Sequence, residues 1–116
     1  MTSTIKTGNK GEDLAADFLR KKGFEVIVRN YRYKHSEIDL IAKQENLLVF
    51  VEVKTRSSSS FGEPEAFVDS KKASRIFEGA DQYVFENNWN GNIRFDIVSV
   101  KIGDNEEVVH FEDAFH

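Results

Sequence analysis

Cysteine is missing from all 116 residues, which excludes a disulfide framework and any thiolate metal site and suits a reducing, cytoplasmic compartment. Long apolar runs are missing too. The longest, Leu47 to Val51, is far too short to cross a bilayer. The opening "MTSTIKTGNKGEDL" lacks the apolar segment of a secretory leader, so neither a signal peptide nor a membrane span is expected. Proline occurs once, inside "RSSSSFGEPE" (Arg56 to Glu65), which reads as a mobile loop. An excess of positive charge is also lacking. The net charge of −4 at first argues against a nucleic-acid partner.

The distribution of charge changes that reading. Lys101 stands against Asp104, Glu106, Glu107, Glu112 and Asp113 in the last sixteen residues, and the first hundred balance at 15 basic and 15 acidic. Residues 20 to 34 hold Arg20, Lys21, Lys22, Arg29, Arg32 and Lys34 against Glu25 alone. Two readings are open for this cluster: a basic patch for nucleic acid, or a solvated surface. Hydrophobic residues at 40% and charged residues at 31% are ordinary for a globular chain. A length of 116 residues suits one core, so a single domain over residues 1–116 is expected.

"GEDLAADFLRKKG" has the period of an amphipathic helix, with Gly23 suited to cap its end. Leu14, Ala15, Phe18 and Leu19 form the apolar stripe; Asp13, Asp17 and Arg20 lie opposite. Glu12 falls beside Ala16 and Leu19, a carboxylate aimed inward. "FEVIVRNY", "EIDLIAK" and "LLVFVEVKT" read as three strands, with "QEN" as the turn between the last two. After the serine stretch, Ala73, Ile76, Phe77, Ala80 and Val84 define a second helix that Asp69 or Ser70 can cap. "NIRFDIVSVK" and "EVVHFE" complete the order α-β-β-β-α-β-β, which predicts an α/β fold with a central mixed sheet flanked by helices.

A two-residue loop at Glu45 and Asn46 pairs Gln44 with Leu47 and, continuing, Asp39 with Glu52. Directly opposed side chains have Cβ atoms about 4.5 to 5.5 Å apart. Lys54 shares the face of Glu52, and the inward Glu12 comes from a helix expected to pack on this sheet. Converging carboxylates raise each other's pKa, and a hard divalent cation such as Mg²⁺ relieves the repulsion. A cross-strand surface ion pair, Glu52 with Lys54 or Lys43, is the alternative for the same spacing. Asp96 reads as structural, with Arg94 two residues away on the same strand face as its partner. His110 and His116 have no metal partner at helical or strand spacing. His35 and Trp89 read as loop residues.

Asp39 followed by Glu52-Val53-Lys54 resembles the D…(D/E)-x-K signature of the restriction-endonuclease-like, or PD-(D/E)xK, nuclease superfamily. The element order is similar to that superfamily's core, and Glu12 matches an acidic residue seen before the signature in archaeal Holliday-junction resolvases. From "GEDLAADFL", "EIDLI", "FVEVKTR", Phe61–Gly62, "RFDIVSV" and "HFEDAF", the chain is identified as a member of the YraN-like uncharacterised protein family. That family usually has glycine where this chain has Ser36. The resemblance implies a restriction-endonuclease-like fold, with Asp39 and Glu52 as ligands of Mg²⁺ or Mn²⁺. Glu12 would be an outer ligand and Lys54 would orient the attacking water.

The expected activity is metal-dependent hydrolysis of phosphodiester bonds in branched or otherwise structured DNA. A non-catalytic nucleic-acid-binding or partner-binding module that keeps the fold is the rival. Lys34, Arg56, Lys71 and Lys72 are the expected nucleic-acid contacts. Short length and acidic balance favour a homodimer or another partner that adds DNA contacts.

Overall fold

The computed structural model describes residues 3–57, 64 and 66–116, and side chains from residue 10 onward among them. Most of the serine-rich stretch, with Phe61 and Gly62, lies outside the described residues. The described elements run α1 (Ser3–Lys21), β1 (Glu25–Tyr33), β2 (Ser36–Gln44), β3 (Leu47–Ser57), α2 (Ser70–Glu86), β4 (Asn92–Ile102) and β5 (Glu107–Phe111). Helix α1 begins eight residues before the expected Gly11, because residues 3 to 10 carry little apolar periodicity to announce a helix.

The five strands form one sheet in the order β1-β2-β3-β4-β5. All neighbours are antiparallel except β3 and β4, which run parallel around the α2 crossover. This is the mixed α/β sheet flanked by helices that the sequence pattern predicts. Ala15, Ala16 and Leu19 of α1 pack on Leu40, Ala42, Val49, Val51, Val98 and Val100. On the opposite layer, Ala73, Ile76 and Ala80 of α2 pack on Ile38, Ile41, Leu48, Phe50 and Ile97. Both faces of β3 are therefore covered, which is why its sequence is nearly continuous in apolar residues. Burying each of its large side chains contributes roughly 1.5–3 kcal/mol.

Local signals account for the element ends. The Gly23 amide donates to Arg20 and the Phe24 amide to Leu19, both at 3.0 Å, while Gly23 takes φ 96°. These two bonds satisfy the last helical carbonyls, and Phe24 joins Leu19 in the core beneath them. Asp69 caps α2 by accepting from the Lys72 amide at 2.8 Å. Strands β2 and β3 turn at Glu45 (φ 54°) and Asn46, and Gln44 pairs with Leu47. The register then runs without slippage to Leu40 and Val51.

Candidate functional site

Asp39 and Glu52 occupy the positions immediately after that last pair. Beyond it the Asp39 carboxylate accepts the Val53 amide at 2.8 Å. The other side of β2 explains how Asp39 comes free. Register between β1 and β2 is Arg29 with Leu40, then Tyr31 with Ile38; the intervening Asn30 and Asp39 form no pair. Asn30 has φ 55°, a left-handed conformation that asparagine tolerates better than most residues. Leu40 packs on the α1 layer, yet Ile38, two residues away, packs on the α2 layer. The side-chain alternation thus shifts by one at Asp39, as it does opposite at Asn30. Irregularities of this kind re-aim single side chains.

Strand β3 is regular by contrast, paired with β4 from Leu47 to Ser57 without a shift. Phe50, Glu52 and Lys54 therefore share the face turned to α2, while Val49, Val51 and Val53 face α1. Glu52 is only 5% exposed. A counter-charge reaches it from outside the strand pair. It is Lys72, from the first turn of α2, whose ammonium forms an ion pair with the Glu52 carboxylate. Sequence spacing could not show this pairing, because it joins elements twenty residues apart. Lys54 is half-buried on β3, in register with Ser99.

Burial and the neighbouring Glu52 charge push the Asp39 carboxyl up to about 8. The Val53 amide opposes this, while a hydrogen bond with Glu52 and the charge of Glu12 add to it. A hydrogen bond between two carboxyl groups requires a proton, so the pair holds one near neutral pH. Lys72 is held above the ordinary lysine range. Burial alone would lower it, but its bond to Glu52 and the charges of Glu52, Asp39 and Asp69 outweigh that effect.

Glu12 points inward as expected, with 15% of its side chain exposed. Gly11 lets α1 approach that closely: a side chain there would overlap Thr55 of β3. The Glu12 carboxylate is turned to β1, accepting from Asn30 Nδ2 at 3.2 Å and lying 3.5 Å from the Arg29 guanidinium. It contributes field at Asp39 without joining the pair. Among the described residues no three histidine or carboxylate groups are grouped so as to hold a metal ion. Half-buried Asp39 and buried Glu52 offer carboxylate oxygens side by side, a donor set that fits a hard ion that keeps most of its own water, such as Mg²⁺.

The two carboxylates form the floor of an open cavity of about 500 Å³. Its walls include His35 from the β1–β2 turn, Lys71, Lys72 and Arg75 from α2, and the acidic Glu37 and Asp69. Arg75 shares the exposed side of α2 with Lys71 and Lys72, whereas His35, which reads as a loop residue, is brought to a helix thirty-five residues later only by the fold. Lys34 is at the same turn (φ 54°), its ammonium 5.2 Å from the Tyr33 ring. Arg56 lies half-buried near the end of β3.

The basic cluster of residues 20 to 34 does not assemble into one patch. Arg20 lies 3.2 Å from Asp17, Lys22 3.7 Å from Glu112, Arg29 2.8 Å from Asp13 and Arg32 3.1 Å from Glu37. Such exposed pairs add little stability, but they cancel the local charge. The basic side chains beside the carboxylates come from α2 instead.

Asp96 serves structure, as its spacing to Arg94 suggests. It is fully buried and accepts from Arg94 Nε and Nη2, both at 2.8 Å, and from the Asp113 amide at 2.9 Å. The His110 ring stands 2.7 Å away through Nε2, and Lys22 donates to its Nδ1 at 2.8 Å. Burial would raise the Asp96 pKa, but bonds from His110, Arg94 and Asp113 hold it below the ordinary carboxylate range. Trp89 donates to the Asn92 carbonyl at 3.0 Å and packs against the α2 layer.

Residues 11–100 match the uncharacterised protein family UPF0102. The chain belongs to that family. Its members include a UPF0102 protein of Flavobacterium psychrophilum, 46% identical over 110 residues, spanning 94% of this chain and 92% of that one. A UPF0102 protein of Clostridioides difficile is 41% identical over 109 residues, covering 93% and 95% of the two chains. Among solved structures, SfsA of Pyrococcus furiosus in complex with Ca²⁺ is similar at 12% identity and a TM-score of 0.41. That likeness covers 94% of this chain and 63% of SfsA. The UPF0102 match takes in Glu12, Asp39, Glu52 and Lys54 together. No helix among the described residues is long and apolar enough to cross a membrane.

Proposed function

We propose that this UPF0102 chain is a Mg²⁺- or Mn²⁺-dependent nuclease of restriction-endonuclease-like fold that hydrolyses phosphodiester bonds in DNA. The observation that carries the reading is half-buried Asp39 beside buried Glu52 on the floor of a cavity whose wall sets Lys71, Lys72 and Arg75 against Glu37 and Asp69. A pair of carboxylates kept partly protonated at neutral pH is costly to the fold and suits a divalent-ion site. Asp39 and Glu52 would hold the ion, with Glu12 behind them. A bound ion of this kind supplies Lewis-acid polarisation and a more acidic water at the phosphodiester.

The protein's own groups have separable roles. Glu52, fixed on β3 by its pairing with Ile97 of β4, sets the position of the charge. Asp39, re-aimed by the irregularity at Asn30, completes it. Lys54, on the Glu52 face of β3, orients the attacking water and offsets charge that develops on the phosphate. Lys71, Arg75 and His35 on the cavity wall hold the flanking phosphates, the contacts that dominate affinity for nucleic acid.

The test is cleavage of end-labelled branched and single-stranded DNA by the purified protein with Mn²⁺ or Mg²⁺, beside Glu52→Gln. Metal-dependent cutting that is lost in the variant supports the reading. Tight binding without cutting under any metal would favour a binding module that retains the fold.

A further inference from the structure

We propose that Lys72 is a resident counter-cation of the Asp39–Glu52 site, displaced by a divalent ion and then available to the phosphodiester, so that metal and nucleic acid bind cooperatively. This rests on the metal-dependent reading of the same site.

The two partners of the ion pair differ in freedom. Glu52 is 5% exposed and sits on a strand hydrogen-bonded within the sheet, whereas the Lys72 side chain is 49% exposed. The Lys72 backbone is anchored, because its amide donates to Asp69 at 2.8 Å. Its four-carbon stem is not held in the same way and can carry the ammonium elsewhere. The cation is therefore the partner that moves.

Chemistry supplies the reason to move. With no divalent ion at hand, Lys72 offsets the charge of a carboxylate that would otherwise be buried beside Asp39, an arrangement that is strongly unfavourable without a counter-ion. Held by Asp39 and Glu52, a divalent ion would bring twice the charge and repel the Lys72 ammonium. The ammonium then faces the cavity wall that Lys71, Arg75 and His35 already line. With Lys72 released there, three basic side chains stand against Glu37 and Asp69, and the basic surplus suits an entering phosphodiester. The ion thus raises affinity for the phosphodiester, and by linkage the phosphodiester raises affinity for the ion by the same factor.

The experiment measures Mn²⁺ affinity at one fixed pH, with and without a phosphorothioate-linked oligonucleotide that resists hydrolysis. For the parent protein the oligonucleotide should tighten Mn²⁺ about tenfold, inside the usual range for coupled sites. Lys72→Met should bind Mn²⁺ alone about tenfold more tightly than the parent and gain little from the oligonucleotide. Lys72→Arg, which keeps the charge, should behave like the parent and shows that the fold tolerates a change at this position. Unchanged Mn²⁺ affinity in Lys72→Met, with coupling intact, overturns the displacement. Failure of both proteins to bind Mn²⁺ removes the metal reading and this inference with it. Coupling that disappears in Lys72→Met while the parent cuts no DNA upholds the displacement and rejects the nuclease.

Discussion

Asp39 and Glu52 lie one residue beyond the last pair that joins β2 to β3, Leu40 with Val51, and share a hydrogen bond where the ladder ends. The opening between the strands is what allows a carboxylate to replace a backbone carbonyl as the acceptor for Val53. It also gathers two acidic groups within a layer that is otherwise apolar.

Stability should carry the mark of that pair. Asp39 loses its proton near 3.8 when unfolded and near 8 when folded, so the folded state binds more protons between these values. Stability contributed by the protonated pair is full below the lower value and is lost as pH rises through the upper one. Urea denaturation at about pH 5 and about pH 9 should show the parent losing stability relative to Asp39→Asn. Parallel curves for the two proteins would remove the proton from the site.

Divalent ions should bind weakly, with a dissociation constant of roughly a millimolar, because few protein oxygens replace the ion's water. Binding near neutral pH should release a proton from the Asp39–Glu52 pair. Calorimetric heats should therefore vary with the ionisation enthalpy of the buffer. Asp39→Asn with Glu52→Gln should abolish the signal; unchanged heats in that double variant would place the ion elsewhere.

Lys54→Ala separates an enzyme from a binder. Cleavage should fall by about a hundredfold or more, the scale of losing one positioned proton-handling or electrostatic group. DNA affinity should change far less, since one phosphate contact is a small share of the total. A variant that cuts at the parental rate would take Lys54 out of the reaction.

The Asp96 cluster should matter to folding and not to chemistry. Asp96→Ala leaves Arg94 and His110 without their buried acceptor and should destabilise the protein by about 3–5 kcal/mol. The Asp113 amide loses its partner as well, loosening the tail against β4. Chemical denaturation reads the loss. Metal affinity of the remaining folded protein should match the parent.

Ser36 tests a local compensation. Its side chain is buried against α2 where residue 79 is glycine, and a side chain at 79 would overlap the Ser36 hydroxyl. Gly79→Ala should cost about 1–3 kcal/mol through overpacking. Adding Ser36→Gly should recover most of that loss in a double-mutant cycle. Additive effects would mean that the two positions do not share the space.

Much of this protein is determined locally and can be read along the chain. Gly23, Asp69 and the Glu45–Asn46 turn end or begin elements through bonds made within a few residues. The tight turn also sets the β2–β3 register, and register carries Asp39 to Glu52 with no knowledge of the rest of the fold. Glu12 could be placed inward from helical period alone. Tertiary structure decided what these groups meet. The shift at Asn30 and Asp39 depends on two helices that claim opposite faces of the sheet, a competition invisible to a period of two. Lys72 reaches Glu52 only because the crossover brings the first turn of α2 within reach of that end of β3. The basic run from Arg20 to Lys34, contiguous in sequence, is divided among a helix, a strand and a turn, where separate carboxylates neutralise it. Short-range geometry is written in neighbouring residues; the sign and strength of the field at a site is a sum over elements that only folding brings together.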